Sequence, residues 1–341
     1  MLIQDRINAF SSLGKTLAEK LGNGSLDAII NRAYNENKWF TPENIQYALQ
    51  SIIRNYLDEG KIKKWLSAYS LPEDHIPMKI GLVPAGNIPL VGWHDIMCIL
   101  ISGNGAQIKL SAKDKVLPEL LLRELIAIAP EFERHIEYVN QLKGFDAIIA
   151  TGSNNTSRYF EYYFGKYPHI IRANRNSAAI LEGNETEEDL HNLGKDVFTY
   201  FGLGCRNVSM LYIPEGYNFE KMFTAFNEWD WLFNNHKYRN NYDYNKSLFL
   251  LNKEPHLDNG FLLLKESQQP ASAVATLHYS HYSSFDQLQE IIHPQRSKFQ
   301  CLVGKQDLSY SEISFGKTQE PELWDYADNI DTMDFLLRLK E

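Results

Sequence analysis

Three short apolar runs separated by glycine- and proline-bearing turns constrain this chain more than any other feature. Met78-Lys-Ile-Gly-Leu-Val83 stops at Pro84-Ala-Gly-Asn-Ile-Pro89; Ala106-Gln-Ile-Lys-Leu110 follows the turn Gly103-Asn-Gly105; Ala147-Ile-Ile-Ala150 runs into Thr151-Gly-Ser-Asn-Asn155. Each run is bounded by breakers and too short for a stable helix, so each reads as a buried strand. An apolar segment reaching Ser102 and a helical pattern near 116–128 lie between them, and another helix begins near Thr156. Strands alternating with helices specify a parallel, doubly wound α/β sheet.

Before this region the texture is helical. Ile3, Ile7, Phe10, Leu17 and Leu21 recur at helical spacing, and Thr41-Pro42-Glu43 supplies an N-cap, a first-turn proline and an early acid ahead of the stripe Ile45, Leu49, Ile52, Ile53 and Tyr56. After residue 205 the pattern is mixed. Met210–Ile213, Ser247–Leu251 and Phe261–Leu264 read as strands, 218–229 as a helix, and Asn234–Asn245 as a polar, aromatic surface loop. The expected organisation is an N-terminal helical segment over 1–75, a dinucleotide-binding domain over 76–200 and an α/β catalytic domain over 201–341.

The balance of 34 Lys and Arg against 43 Asp and Glu gives a net charge of -9, which argues against nucleic acid and anionic lipid as partners. No segment reaches 18 uninterrupted apolar residues and Met-Leu-Ile-Gln-Asp-Arg is not the start of a secretory peptide, so the expectation is a cytoplasmic protein without a membrane span. The 10 histidines show no H-x-x-x-H or H-E-x-x-H spacing, and Cys98, Cys205 and Cys301 form no C-x-x-C pair. Neither a metal site nor a disulfide framework is expected.

Four places could carry chemistry. Gly152 and Ser153 sit where a strand feeds a helix, a geometry that suits a pyrophosphate and equally suits a plain turn. Lys109 ends a strand, where its ammonium is either a phosphate or ribose contact or a solvated charge. Asn87, between Gly86 and Pro89, lies in a loop stiff enough to aim an amide at an oxyanion, or merely forms the turn. Cys205, after Gly202-Leu-Gly204 and before Arg206, either has room for a substrate and positive charge for a thiolate or is a small buried hydrophobe. Cys98 and Cys301, inside apolar runs, read as small buried hydrophobes.

In order, Gly81-Leu-Val-Pro-Ala-Gly-Asn87-Ile-Pro-Leu90, Ser102-Gly-Asn-Gly-Ala-Gln-Ile-Lys109-Leu-Ser111, Ala150-Thr-Gly-Ser153 and Phe201-Gly-Leu-Gly-Cys-Arg-Asn-Val-Ser209 resemble the aldehyde dehydrogenase superfamily. With Arg172-Ala-Asn-Arg-Asn-Ser177, Gly183-Asn-Glu-Thr186 and Phe315-Gly-Lys-Thr-Gln319, the chain looks most similar to the acyl-CoA reductase branch, related to the fatty-acyl reductase of bacterial bioluminescence. The resemblance implies an aldehyde dehydrogenase-like fold, Cys205 as nucleophile and Asn87 as holder of the thioester oxygen. It also places Lys109 and Ser111 at the adenosine ribose or its phosphate, and Gly152 and Ser153 near the pyrophosphate.

Two departures from the superfamily shape the expected activity. Where aldehyde oxidisers carry Glu-Leu-Gly-Gly, with the acid that activates water, this chain has Arg172-Ala-Asn-Arg175. Losing that base removes about 10²–10⁴-fold of assistance to hydrolysis. Where NAD-preferring members carry an acid after Lys-Pro-Ser, this chain has Ala112 beside Lys113. The expectation is therefore NADPH-dependent reduction of an acyl-CoA to the aldehyde through an acyl-cysteine, with NADH as the lesser cofactor. The alternatives are an acyl phosphate substrate and a non-catalytic acyl-CoA-binding subunit. A homo-oligomer or acyl-transfer partner proteins are further expectations; at 341 residues the chain is shorter than the usual superfamily member, and the resemblance leaves open whether it carries the segments that form an exchanged oligomerisation arm elsewhere.

Overall fold

The computed structural model describes residues 1–71, 76–305 and 311–339. The expected boundary after residue 75 falls against 72–75, outside the described residues. Helices α1 (Ile3–Gly22), α2 (Asp27–Glu36), α3 (Pro42–Asn55) and α4 (Glu59–Leu66) come first. Thr41 caps α3 by accepting Asn44 N–H at 3.3 Å, with Pro42 at the first turn, as the sequence predicts.

Next come β1 (Lys79–Val83), α5 (Trp93–Ile101), β2 (Gly105–Ile108), α6 (Val116–Ile128), β3 (Ile136–Tyr138), β4 (Ala147–Thr151), α7 (Asn154–Phe164) and β5 (His169–Arg172). These five strands are all parallel, in the order β3-β2-β1-β4-β5. The strand order reverses between β1 and β4. In open α/β sheets, ligands bind outside the carboxyl ends of the strands at such a reversal.

The chain then forms β6 (Asn176–Ile180), α8 (Glu187–Phe198), β7 (Val208–Pro214), α9 (Phe219–Phe226), α10 (His236–Leu251), β8 (Leu257–Asp258), β9 (Leu263–Glu266), β10 (Thr276–Tyr282), α11 (Phe285–Ile292), β11 (Phe299–Val303) and finally α12 (Thr332–Arg338). The second sheet runs β11-β6-β7-β10-β9-β8 and is parallel except for the β8–β9 pair.

Two compact units result, Met1–Asn174 with Pro321–Glu341, and Arg175–Glu320. They differ from the segments expected from sequence. The change of sheet comes between β5 and β6, before the Cys205 turn rather than at residue 200, and the C-terminal residues rejoin the first unit. Nor are the N-terminal helices a separate layer. Phe10 of α1 packs edge-on against Trp93 of α5 and Phe132, and one apolar core joins α1–α4 to the first sheet.

A second correction concerns 234–251. The expected loop and strand are one helix, α10, capped by the Asn235 side chain. Its inward residues are Tyr238, Tyr242 and Asn245, spaced as a helical stripe but too polar to register as one. The expected strand at 261–264 lies slightly later, at β9.

Candidate active site

In the first unit, the sequence-predicted residues gather at the carboxyl edge of the parallel sheet. β1 ends at Val83 and gives way to the loop holding Asn87, which is exposed; β2 ends at Ile108, immediately before exposed Lys109 and half-buried Ser111; β4 leads to Gly152 and Ser153. Asn87 and the Gly152 turn therefore flank the strand-order reversal, with Lys109 and Ser111 one strand away.

Gly152 and Ser153 have evident geometric duties. A methyl group at Gly152 would lie 2.8 Å from Thr156 Cβ, so a larger residue would push α7 away from β4. Ser153 caps α7, accepting Thr156 N–H at 3.2 Å. The first turn of α7 contains no acid, which leaves the positive helix end available to a phosphate.

The loop that carries Asn87 is tightly held. A methyl group at Gly86 would fall 2.4 Å from Ser111 Oγ and 2.5 Å from Ser111 Cβ. Leu90 adopts a left-handed backbone, φ 59, and its N–H donates to Asp114 Oδ2 at 2.7 Å. Burial raises the Asp114 carboxyl to about 7, against the pull of the Leu90 amide. Asp114 escaped the sequence reading because Lys113-Asp114-Lys115 has the look of a solvated charge cluster.

In the second unit, Cys205 follows a run of unusual backbone. Tyr200, Phe201, Gly202 and Gly204 all have positive φ, of 55, 60, 75 and 103. For non-glycine residues this conformation costs roughly 1–2 kcal/mol each, and such outliers concentrate at functional sites. Cys205 is half-buried, whereas Cys98 and Cys301 are buried, as expected for those two. Burial pushes both of their thiols up.

Ser177 at the start of β6 organises this turn. Its hydroxyl donates to the Cys205 carbonyl oxygen at 3.1 Å and accepts the Cys301 N–H at 3.2 Å. Arg206, expected to serve the Cys205 thiolate, extends Nη1 to Cys301 Sγ at 3.5 Å. Asp196 of α8 accepts Gly316 N–H at 2.6 Å, Thr318 N–H at 3.0 Å and the Thr318 hydroxyl at 2.8 Å. An acid on a stripe with Leu190, Leu193 and Val197 was the sequence signal for it.

Arg172, whose segment stands in place of the water-activating acid, is 3% exposed. It donates to Asp95 Oδ2 at 2.6 Å and to Thr332 Oγ1 at 2.9 Å. Its charge is consumed in tying β5 to α5 and α12.

No family model and no curated protein matches this sequence. Solved structures do match. Aldehyde dehydrogenase 21 from Physcomitrella patens, in complex with the reaction product succinate, superimposes with a TM-score of 0.73 at 11% identity, over 100% of this chain and 85% of that one. An acetylating aldehyde dehydrogenase from Geobacillus thermoglucosidasius gives 0.64 at 10% identity, over 98% and 90%. A mutant propionaldehyde dehydrogenase from the fucose utilisation microcompartment of Clostridium phytofermentans gives 0.62 at 8% identity, over 92% and 83%. The chain has the aldehyde dehydrogenase-like α/β fold.

Proposed function

We propose that this protein is an NADPH-dependent acyl-CoA reductase that forms an aldehyde through an acyl-Cys205 intermediate. The observation that carries the reading is the placement of Cys205: it alone of the three cysteines is not buried, at the end of a strained, glycine-bearing turn. Strain of that kind aims a side chain rather than relaxing it into packing.

The carboxyl edge of the first sheet fits a dinucleotide. Gly152 and Gly86 are cradles that a methyl group would fill, and α7 presents an N-terminus without a first-turn acid. In this reading Gly152 and Ser153 hold the pyrophosphate, while Lys109 and Ser111 hold the adenosine ribose. Ala112, Lys109 and Lys113 are exposed, so no carboxylate at that position repels a 2′-phosphate, and NADPH is favoured over NADH. Bound there, the reduced dinucleotide supplies the two electrons, as hydride, that conversion of an acyl group to an aldehyde requires.

The chain's own residues do the rest. Cys205 Sγ, as thiolate, attacks the thioester carbonyl, and the carbonyl π-electrons move onto oxygen. The Asn87 amide donates to that oxyanion. As the carbonyl re-forms, the C–S bond to CoA breaks, and CoA leaves as a thiolate that takes a proton from solvent. Arg172 is committed to Asp95 and supplies no base in place of the water-activating acid of aldehyde oxidisers, which favours an acyl-cysteine that lasts until it is reduced. Release of the aldehyde returns Cys205 to the thiolate.

Brief exposure to acetyl-CoA, octanoyl-CoA or palmitoyl-CoA without cofactor, followed by peptide mass spectrometry, tests this. One acyl group on the Cys205 peptide, with one equivalent of CoA released, is the expected result. No adduct with any of the three, or an adduct on Cys98 or Cys301, removes the proposal; acylation by acetyl phosphate alone transfers the mechanism to acyl phosphates.

A further inference from the structure

Asp114 is 5% exposed, and its second carboxyl oxygen, Oδ1, is buried with no hydrogen-bond partner among the described residues. An unsatisfied buried oxygen costs on the order of 1–3 kcal/mol, so the residue calls for an explanation. Its other oxygen, Oδ2, accepts the N–H of Leu90, a branched, buried residue in the left-handed region whose carbonyl in turn accepts Trp93 N–H at 2.9 Å to open α5. The far side of the same loop is held where Gly86 meets Ser111 Oγ and Cβ, with Asp114 Cβ 3.3 Å from where a Gly86 methyl would sit. Ser111 and Asp114 belong to one turn, closed by Asp114 N–H to the Ser111 carbonyl at 3.1 Å and by Lys113 N–H to Ser111 Oγ at 3.3 Å. The loop bearing Asn87 is thus gripped on both flanks by the turn bearing Ser111.

We propose that Asp114 is a positioning residue that fixes the Asn87 amide through the Leu90 N–H, latching the oxyanion loop to the ribose loop. The inference rests on the roles given above to Asn87 and Ser111. Asp114 touches neither substrate nor cofactor in this scheme; it acts through Leu90 on the loop.

A double-mutant cycle decides it. Acylation by whichever of the three acyl-CoA probes labels wild type is timed for wild type, Asn87→Ala, Asp114→Ala and the double variant. Asp114→Ala is expected to slow acylation about 10–100-fold, the scale of a displaced catalytic group, with the NADPH dissociation constant from fluorescence titration little changed. Asp114→Asn, whose amide oxygen accepts the same bond, restores most of the rate, and Asn87→Ala/Asp114→Ala is no slower than Asn87→Ala. Independent, multiplying losses in the cycle, or an Asp114→Ala rate equal to wild type, overturn the proposal. If Asp114→Ala does not fold, Gly86→Ala displaces the loop from its other flank and takes its place in the cycle.

Hydrogen exchange at the Leu90 amide separates this inference from the function it rests on. Should wild type accept no acyl group, the functional reading fails, and the latch is then judged by exchange alone. Protection in wild type that is lost in Asp114→Ala supports the latch; equal protection in both removes it.

Discussion

The Ser177 hydroxyl donates to the carbonyl oxygen of Cys205 at 3.1 Å, from a side chain with no solvent exposure. The Ser177 hydroxyl oxygen in turn accepts the Cys301 N–H, so one residue ties the Cys205 turn to β11. Ser177→Ala is expected to lose about 1–3 kcal/mol. The urea midpoint at constant m-value measures it; an unchanged midpoint would show that the tie contributes nothing.

Asp95 and Arg172 form a buried ion pair whose partners are both taken from water. Asp95→Ala leaves the guanidinium buried without its carboxylate, at a cost of about 3–5 kcal/mol. Replacing both partners together by apolar residues should cost much less. Unfolding midpoints of the single and double variants make the comparison, and equal losses in both would contradict the account.

Two buried acids give stability a pH dependence. Burial raises Asp114 to about 7 and Asp196 to about 6 from 3.8, in each case against hydrogen bonds that pull the other way. The folded state therefore holds these protons more tightly than the unfolded chain. Their contribution is fully present below about pH 4 and is lost as pH rises through 6 and 7. Asp114→Asn, which cannot ionise, should gain on wild type by about 1–4 kcal/mol between pH 4 and pH 8. Urea titrations at both values read the difference; parallel curves for the two proteins are the contrary result.

Ala112 is exposed between Ser111 and Lys113. With the adenosine ribose bound at this turn as proposed, an acid there would repel a 2′-phosphate and accept bonds from ribose hydroxyls, so Ala112→Glu should raise the NADPH dissociation constant about tenfold relative to that for NADH, roughly 1.4 kcal/mol. Fluorescence titration with the two dinucleotides reads the ratio, and an unaltered ratio places the ribose elsewhere.

Much of the first sheet was legible because its strands are short apolar runs cut off by Pro and Gly. β1, β2 and β4 fall where Met78–Val83, Ala106–Leu110 and Ala147–Ala150 pointed, and Thr41 caps α3 as written. α10 was not legible. Its buried face is built from Tyr238, Tyr242 and Asn245, which carry the helical period without the apolarity that normally reveals it, and a five-residue run such as 247–251 fits strand and helix alike.

The sequence by itself determined the alternating layers, the edge at which Asn87, Lys109, Ser111, Gly152 and Ser153 assemble, and which of three cysteines escapes an apolar run, because those are properties of neighbours a few residues apart. Only the tertiary structure decided that Asp114 is buried under Leu90, that Arg172 answers Asp95 across 77 positions, and that Ser177 grips both Cys205 and Cys301. Burial and hydrogen-bond partners of a polar side chain are set by whatever segment packs over it, and local pattern carries no record of that segment.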